Sequence, residues 1–452
     1  MERSMLAEQV ELIRQVFEYA HRFQGKTFVM KIDGALLEEN YFPLLVKDLV
    51  LLYRQGIRII LVPGAKKRID EVLDRYHIPW KTEGGVRVST PEALPFIKMA
   101  AFDVSNQLMT QLAANNVDGV IGNWVKARGL GVLKGVDYQQ TGVVERVDVD
   151  IIRKVLAEGL IPIFPNIGWN ALGTPYNISS NDLAAALAGA LGAEKLFFIY
   201  GSQAAIGPGY RLPEGVATTQ DGVVVYLSVP EAHALRNLNQ DRSSEEMMEV
   251  IGLACRACAE GVNRVHVLNA EIEGVVLKEI FSSRGGGMMI YSNEHENVRG
   301  MTPRDIPEVL RIMRPFMERE ILLVRTEADL AARLDEFVVY DVDGIIHACG
   351  ALHPSKGMPG TAEIAAIAVD ETYAGLGIGK RILTYLLAWA GRLGLRQVHA
   401  LTTQTADWFA QFGFREGSVT DLPEERRRSY NRQRNSRVLL LDLPAAPSAG
   451  SP

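Results

Sequence analysis

Short, continuously apolar runs alternate with helical patterns over the first two thirds of the chain. Residues 27–32 and 58–62 are the first such runs, and residues 67–76 then have helical spacing. Later runs of the same kind are residues 119–121, 161–165, 195–199, 264–268 and 288–290. A strand that is apolar along its whole length must be covered on both faces, as in a helix-covered sheet of mostly parallel strands. The pattern therefore predicts an α/β unit with a mostly parallel central sheet.

A second unit follows a polar, aperiodic segment at residues 291–297. A chain of 452 residues is also too long for one ordinary domain, since domains usually hold about 100 to 200 residues. We therefore expect two domains, residues 1–291 and residues 298–444, joined by this segment. Residues 445–452 are rich in Pro, Ala, Ser and Gly and are expected to be disordered.

Composition excludes several classes of protein. A formal net charge of -6 favours no nucleic-acid partner, and no run approaches the roughly 20 apolar residues that span a membrane. The three cysteines are too few for a disulfide framework and fit the reducing cytoplasm. Cys255 and Cys258 form a CxxC pair, which belongs either to a metal site or to a helix core. Because no second pair accompanies them, we expect structural thiols and no metal.

A glycine-rich turn follows the apolar strand at residues 362–369 and opens a helix at about Gly377. Such a turn exposes backbone N–H groups at the positive end of a helix, where they can bind a pyrophosphate. A dinucleotide-binding fold uses a related turn, but places it after the first strand and follows it with an acidic residue. Neither feature is present here.

The turn resembles the (Arg/Gln)-x-x-Gly-x-(Gly/Ala) motif of the GNAT acetyltransferases, with Gly377 and Gly379 at the glycine positions and Ala374 at the Arg/Gln position. This resemblance implies an α+β acetyltransferase domain that uses acetyl-CoA. The residues that it implies for cofactor binding are Ile367, Ala368, Val369, Gly375, Leu376, Gly377, Ile378, Gly379 and Lys380.

The segment from Asp407 to Phe414 resembles the late helix and Gly-Phe turn of the same family. Many relatives have a tyrosine there that protonates the leaving thiolate, but this chain has Phe409. Thr402, Thr403 or water is expected to supply the proton instead.

A run dense in arginine, residues 422–437, precedes the last apolar strand. Such a run is either a solvated basic face or a site for a substrate with two carboxylates, which arginine binds through paired donors. Together with Tyr430, Asn431 and residues 322–325, the run resembles the two-domain bacterial N-acetylglutamate synthases. That resemblance implies L-glutamate as acceptor, in the first step of arginine synthesis. The residues implied to hold its carboxylates are Arg325, Arg426 or Arg427, Arg434 and Ser436.

Glu363 lies on the strand before the glycine-rich turn, in what we expect to be an apolar setting. It is either an ordinary carboxylate at a strand edge or the general base that takes the ammonium proton of the acceptor. With Glu363 as base, the amine attacks the thioester directly, and backbone N–H groups near Ile367 to Val369 hold the oxyanion.

The first domain resembles the amino-acid kinases through residues 31–34, 62–65, 85–88 and 176–178. A kinase needs two lysines and an aspartate around the transferred phosphoryl group. Lys31 is retained, but Asn181 and Val250 stand at the aspartate and second-lysine positions, and Asp182 is the alternative aspartate. Phosphoryl transfer is therefore not expected. The rival hypotheses are an active or bifunctional kinase and an acetyl-CoA sensor without turnover.

The first domain also resembles arginine-sensitive members of both families, which implies L-arginine as an effector. The implied site comprises Tyr19, Lys195, His266, Glu279 and the turn from Gly285 to Gly287. A carboxylate such as Glu279 suits a guanidinium, whereas His266 is equally typical of a hydrogen-bonded core. The resemblance further implies a homo-oligomer, a hexamer built from kinase-like dimers.

Overall fold

The structure is a computed structural model that divides the chain into two compact units, Met1–Ser292 and Asn293–Pro452. The residues that it describes are 21–201, 205–214, 216, 218–219, 221–242, 245–281, 286–292, 298–342, 344–355, 357–373 and 377–443. Residues 293–297 of the expected linker and the expected disordered tail at 445–452 lie outside these residues.

The first unit alternates strands with helices. Its strands are β1 (Thr27–Ile32), β2 (Arg58–Pro63), β3 (Lys81–Glu83), β4 (Val86–Val88), β5 (Gly119–Ile121), β6 (Val125–Gly129), β7 (Val132–Leu133), β8 (Val136–Asp137), β9 (Gly142–Val147), β10 (Ile161–Ile163), β11 (Ile167–Trp169), β12 (Pro175–Asn177), β13 (Lys195–Tyr200), β14 (Tyr226–Ser228), β15 (Arg264–Asn269) and β16 (Gly287–Tyr291). Its helices are α1 (Phe42–Arg54), α2 (Lys66–Arg75), α3 (Leu94–Ala114), α4 (Val149–Ala157), α5 (Ser180–Leu191), α6 (Val229–Leu238), α7 (Glu246–Ala259) and α8 (Val275–Phe281).

The central sheet of this unit has the strand order β14-β16-β15-β13-β1-β2-β10-β5. Its neighbouring strands run parallel, except for the antiparallel pair β15 and β16. All six residues of β13 are buried, as expected for a strand covered on both faces. The predicted α/β fold with a mostly parallel sheet is confirmed.

A second, four-stranded sheet has the order β12-β11-β6-β9 and was not predicted. Its strands are short and partly exposed; β9, for example, buries only its two end residues. They therefore lack the continuous apolar runs that identify the central strands. Two hairpins, β3-β4 and β7-β8, complete the strands of this unit.

The second unit has one sheet, with helices among its strands. Its strands are β17 (Val298–Gly300), β18 (Phe337–Val342), β19 (Ile345–Pro354), β20 (Thr361–Val369), β21 (Gln397–Thr402), β22 (Arg415–Gly417) and β23 (Arg437–Asp442). Its helices are α9 (Ile306–Glu318), α10 (Glu327–Ala331), α11 (Ile378–Arg392), α12 (Ala406–Ala410) and α13 (Glu424–Arg428). The strand order is β17-β18-β19-β20-β21-β23-β22, and the pair β20 and β21 is parallel. The predicted α+β fold is confirmed.

Strands β20 and β21 separate halfway along their length. The described ladder joins residues 361–364 of β20 to residues 397–400 of β21 and then ends. Just beyond it, Ala366 has a φ of 54°, and the register between β19 and β20 shifts opposite Gly350. A β-bulge of this kind bends its strand and redirects the residues that follow. It leaves residues 365–369 without a β21 partner in that ladder, so an opening forms beside them.

Helix α11 covers the sheet next to this opening. Its residues Ile382 and Leu386 are fully buried in the core of the second unit. A Cβ built on Gly350 would lie 2.6 Å from Cγ2 of Ile382, so the glycine permits the close approach of helix and sheet. No helix in the described part of the chain has both the length and the apolar character needed to cross a membrane.

Candidate active site

A cleft of about 610 Å³ lies where β20 and β21 separate. Four segments contribute to it: the chain after α9, the middle of β20, the end of β21 at Leu401 and the arginine-rich run. Its lining residues are Ile321, Leu322, Leu323, Arg325, Glu363, Ala365, Ala366, Leu401, Arg426, Ser429, Tyr430, Asn431, Arg434 and Ser436. The fold therefore brings the general-base candidate and most of the candidate substrate residues to one place.

Glu363 lies in this cleft and is held by Arg426. Nε of Arg426 donates to Oε2 of Glu363 at 2.7 Å, and Nη2 donates to Oε1 at 3.0 Å. The expected apolar setting is therefore wrong, because α13 brings a guanidinium against the strand. A bidentate pair of this geometry is a strong charge-assisted contact, which stabilises the ionised carboxylate.

Two further arginines line the cleft, one from the chain after α9 and one from the arginine-rich run. Nη2 of Arg325 lies 3.2 Å from Nε2 of His353. Arg434 donates through Nη2 to the carbonyl of Ile321, while its Nε is buried without a hydrogen-bond partner in the described part of the chain. Burial lowers the pKa of both guanidinium groups, which nevertheless remain charged at neutral pH. Both are placed to receive an anionic ligand.

Arg426 and Arg427, the two alternatives in the arginine-rich run, differ in their position on α13. Arg426 lines the cleft, whereas Arg427 is exposed and is not among the described lining residues. Ser436 is buried at the cleft, and its backbone carbonyl accepts a hydrogen bond of 2.7 Å from the Tyr430 hydroxyl. That bond closes the loop between α13 and β23 and fixes one wall of the site.

Histidines flank Glu363 on both neighbouring strands. In register, His353 of β19 stands opposite Glu363, and His399 of β21 stands opposite it on the other side. Neither histidine is predicted as a site residue from the sequence. The available signal was weak: each histidine lies between apolar residues of its strand, which is also how an ordinary core histidine looks.

The two candidate proton donors differ in their surroundings. Thr402 ends β21, and its hydroxyl accepts N–H bonds from Gln404 at 3.3 Å and Thr405 at 2.9 Å. It also shares a hydrogen bond of 2.7 Å with the Thr405 hydroxyl. The Thr403 hydroxyl is buried without a hydrogen-bond partner among the described residues. Phe409 is buried in the hydrophobic core.

The opening beside β20 and the start of α11 together suit an extended anionic cofactor. The separated edge presents backbone groups of Ile367, Ala368 and Val369 next to the cleft. Gly377, the residue that precedes α11, has a φ of 72°, which favours glycine. The first turn of α11 contains the other described candidates, Ile378, Gly379 and Lys380. Gly375 and Leu376 lie outside the described residues.

In the first unit, the retained kinase lysine is enclosed by acidic and aromatic groups. Nζ of Lys31 lies 3.4 Å from Asp33, 3.9 Å from Glu246 and 3.6 Å from the ring centre of Tyr200. Burial lowers the pKa of Lys31, although the nearby carboxylates oppose this effect. Nδ2 of Asn181 donates to Glu246 at 3.3 Å. The surroundings of Lys31 are therefore occupied by carboxylates, which repel phosphate.

The alternative aspartate does not join this cluster. Asp182 accepts a hydrogen bond of 2.6 Å from Arg256, and Asn181 instead accepts one of 2.9 Å from Tyr200 beside Lys31. Val250 is fully buried in the core. Glu249 lies nearby, and burial together with the charge of Glu246 raises its pKa. In the register of the kinase resemblance, a buried valine therefore stands where phosphoryl transfer needs its second lysine.

Three of the predicted arginine-site residues form one buried network. Nδ1 of His266 lies 2.7 Å from Glu279, and Nε2 lies 3.4 Å from Nζ of Lys195. The backbone N–H of Gly286 donates to the other oxygen of Glu279 at 2.6 Å. Burial alone would raise the pKa of Glu279, but His266, the Gly286 N–H and Lys195 hold it below its ordinary value.

The turn beside this network contains Gly287, where a Cβ would lie 2.1 Å from the carbonyl oxygen of Val267. Only glycine fits at that position. Tyr19 and Gly285, the remaining residues of the predicted arginine site, lie outside the described part of the chain.

The CxxC pair is part of a helix core. Cys255 and Cys258 are buried on α7, and desolvation raises the pKa of their thiols to about 11 and about 12. Both are therefore protonated, unreactive thiols at neutral pH. Among the described residues, no group of three or more His, Cys, Asp and Glu is arranged to hold a metal ion.

Comparison with known proteins supports both folds. Residues 26–203 match the amino acid kinase family, and residues 306–414 match the acetyltransferase (GNAT) family. The chain is 32% identical to an amino-acid acetyltransferase of Salmonella typhimurium over 96% of this chain and 98% of that protein.

Two solved structures of N-acetylglutamate synthase from Neisseria gonorrhoeae are also similar. The one complexed with coenzyme A and L-arginine is 30% identical, with a TM-score of 0.76 over 96% of this chain and 99% of that chain. The one complexed with coenzyme A and N-acetyl-glutamate is 31% identical, with a TM-score of 0.59 over the same shares. Because these similarities run through both units, the chain belongs to the N-acetylglutamate synthases, the amino-acid acetyltransferases in which an amino-acid-kinase fold precedes a GNAT domain.

Proposed function

We propose that this protein transfers the acetyl group of acetyl-CoA to the α-amino group of L-glutamate, the first step of arginine synthesis. The observation that carries this proposal is the cleft, where the Glu363 carboxylate is surrounded by Arg325, Arg426 and Arg434. Relatives that bind coenzyme A with N-acetyl-glutamate support the same reaction.

The cleft suits an acceptor with two carboxylates and one amine. Arg325 and Arg434 approach from different segments, so they can bind the two ends of a short dicarboxylate. Ser436 adds a neutral hydroxyl to the wall near Arg434. A monocarboxylic amino acid would leave a buried cation without a partner, which costs about 1–3 kcal/mol or more. This cost favours glutamate over neutral amino acids.

Acceptor binding also changes the partner of the base. Glu363 is paired with Arg426 in the structure, so both oxygens of the carboxylate that would take the ammonium proton already accept hydrogen bonds. A carboxylate of the acceptor gives Arg426 an alternative anionic partner. Binding of the correct substrate thereby releases Glu363 to act as the base, so recognition and catalysis are linked through one arginine.

The chemical step is then a direct transfer. Glu363 takes a proton from the ammonium group, and the neutral amine attacks the thioester carbonyl. Backbone N–H groups near Ile367 to Val369 stabilise the developing oxyanion. Collapse of the tetrahedral intermediate expels the CoA thiolate, and the proton that the attacking nitrogen still has to lose passes to this thiolate through Thr402, Thr403 or water. The N–H bonds to Thr402 favour release of its proton.

Acetyl-CoA is proposed to bind along the separated edge of β20 and at the start of α11. The backbone groups of residues 365–369 can pair with an extended chain that carries amide groups, as an added strand would. The left-handed turn at Gly377 and the helix behind it then present N–H groups to the pyrophosphate. Lys380, exposed in the first turn of α11, adds a positive charge there.

The first unit is proposed to bind L-arginine and to regulate the second, without phosphoryl transfer. Glu279, already held by His266 and Gly286, supplies the carboxylate that a guanidinium requires. The acidic groups around Lys31 oppose a kinase function. We further propose a cytoplasmic location, supported by the three free thiols, and a hexameric assembly, supported by family resemblance alone.

The reaction is tested by following both atoms of the new bond. The purified protein is incubated with acetyl-CoA labelled with ¹³C in its acetyl group and with ¹⁵N-glutamate, and the product is identified by mass spectrometry and NMR. A directly coupled ¹³C–¹⁵N amide is expected. Thiol release without that amide would indicate hydrolysis, and the proposed transferase function would be wrong.

A further inference from the structure

His399 is a buried histidine that faces the base. It lies on β21 with 3% of its surface exposed, and Leu440 of β23 pairs with it from the other side. Its Nε2 has no hydrogen-bond partner among the described residues and lies 3.9 Å from Oε2 of Glu363. A side-chain nitrogen buried without a partner is unusual in a folded protein, because its desolvation is not compensated.

The distance of 3.9 Å between His399 and Glu363 is explained by the ion pair of Glu363 with Arg426. Both oxygens of Glu363 already accept bonds from Arg426. When Arg426 turns to a carboxylate of the acceptor, Glu363 loses both donors while its side chain, 15% exposed, stays mostly buried. A neutral donor close by would then keep the carboxylate in place without neutralising it.

We propose that His399 is the positioning residue for Glu363, donating Nε2–H to its carboxylate once Arg426 has turned to the acceptor. This inference rests on the proposed function and adds one residue to its mechanism. The exchange replaces a charged partner with a neutral one. Glu363 thereby stays aimed at the acceptor ammonium.

The charge state of His399 agrees with this role. Burial lowers the pKa of His399, and the guanidinium of Arg426 acts in the same direction, while Glu363 opposes both. These are the charged groups that face the ring, from α13 and β20, and the neighbouring position on β23 is the apolar Leu440. The imidazole is therefore neutral at physiological pH and carries one N–H to donate.

The test compares a variant without a donor to one that keeps it. His399→Leu fills the apolar site without a hydrogen bond, and His399→Gln places an amide N–H close to the position of Nε2. If His399→Leu does not fold, His399→Phe replaces it as the donor-free variant. Binding of coenzyme A and the unfolding temperature are measured for each protein. The kcat and the KM for glutamate are then determined from pH 5.5 to pH 9.5, a range that brackets the ordinary histidine value near about 6.5.

We expect the donor-free variant to lower kcat by about tenfold or more, the effect of one hydrogen bond to a charged group, with little change in KM. The acid limb of its kcat profile should move to higher pH, because a carboxylate that has lost a donor binds a proton more readily. His399→Gln should recover most of the rate and restore the profile.

Three results would overturn the inference: an unchanged kcat in the donor-free variant, equal losses in both variants, or a change confined to KM. The wild-type protein separates this inference from the proposed function. Wild-type protein that releases no thiol with glutamate refutes the function itself, whereas an active wild type with an insensitive His399 refutes only the positioning role.

Discussion

Glu363 has three polar neighbours that act on it differently. Arg426 forms a bidentate ion pair with it, His399 lies 3.9 Å away on β21, and His353 stands opposite it on β19. A carboxylate with this set of neighbours can change its proton affinity by changing partners, without moving its own strand. In the proposed mechanism, the reactivity of Glu363 therefore depends on displacement of Arg426 by the acceptor.

Replacing Glu363 by glutamine removes the base but keeps the size of the side chain. We expect Glu363→Gln to lower kcat by about 10²- to 10⁴-fold, the range typical of general-base catalysis, with binding of coenzyme A unchanged. Thiol release and calorimetric binding measure the two effects. Glu416→Gln is the control, since Glu416 is an exposed residue of β22 that pairs with Arg437. A Glu363→Gln protein within a few-fold of the wild-type rate would refute the role of Glu363.

Arg434 should act on substrate binding more than on turnover. Its guanidinium offers paired donors in the cleft, which a lysine ammonium cannot reproduce. Arg434→Lys is expected to raise the KM for glutamate by about tenfold or more, with a smaller effect on the KM for acetyl-CoA. Arg432→Lys, an exposed change in the same run, is the matched control. Equal KM values in the two variants would contradict this placement.

At the residue scale, the sequence could supply the candidate residues of the site but not the contacts between them. Glu363 and the arginines could be identified because acid-base and anion-binding groups are distinctive in sequence. The Glu363–Arg426 pair and the two histidines could not, since they depend on cross-strand register and on the packing of α13 against β20. Neither relation leaves a periodic signal along the chain.

Among the elements, the separation of β20 from β21 creates the site. The bulge at Ala366 ends the ladder, so one strand edge becomes available for the cofactor while Glu363, just before it, stays fixed in the sheet. Gly377 then places the first turn of α11 at the end of that edge. The proposed cofactor and acceptor sites thus share one strand.

Substitution of Gly377 tests directly whether this turn binds the cofactor. Its φ of 72° is strained for alanine, at a cost of about 1–2 kcal/mol. We therefore expect Gly377→Ala to weaken binding of coenzyme A by about tenfold, measured by calorimetry. Gly391→Ala is the control in the same helix, where a Cβ meets nothing within 4 Å. It should raise stability by up to about 1 kcal/mol and leave binding unchanged. Unchanged binding in Gly377→Ala would exclude this turn from the cofactor site.

Long buried elements could be predicted from the sequence, and short exposed ones could not. Seven of the eight central strands of the first unit could be predicted as apolar runs, whereas the short strand β14 and the antiparallel direction of β16 could not. The sheet formed by β6, β9, β11 and β12 has short, partly polar strands that resemble loops in sequence. The bulge at Ala366 was also hidden, because alanine does not mark a left-handed backbone as glycine does.

At the scale of the whole molecule, we expect the first unit to bind arginine and to influence the activity of the second. Glu279→Gln removes the carboxylate proposed to bind the guanidinium, while the neutral amide can still contact His266. We expect this variant to lose the response of thiol release to arginine and to keep its basal rate. Glu260→Gln, an exposed change in the same unit, should keep the response. Citrulline, which lacks the charge, should have no effect on the wild-type protein.

An undiminished arginine response in Glu279→Gln would place the effector elsewhere.

At this scale the sequence was sufficient for the order of the two folds, because each has its own motifs. It could not show that Lys31 is enclosed by Glu246 and Tyr200, since those residues lie far apart along the chain. The absence of kinase activity stays a prediction, which ATP turnover with N-acetylglutamate tests.

The most direct test of the central claim is thiol release from acetyl-CoA with L-glutamate, L-aspartate, L-glutamine, L-lysine or no acceptor. We expect rapid release with glutamate and little with the others. Two carboxylates at the spacing found in glutamate are needed to pair with Arg325 and Arg434 and to draw Arg426 away from Glu363. Equal release with glutamine would contradict the dicarboxylate site. Release with no acceptor, or with lysine alone, would contradict glutamate acetylation altogether.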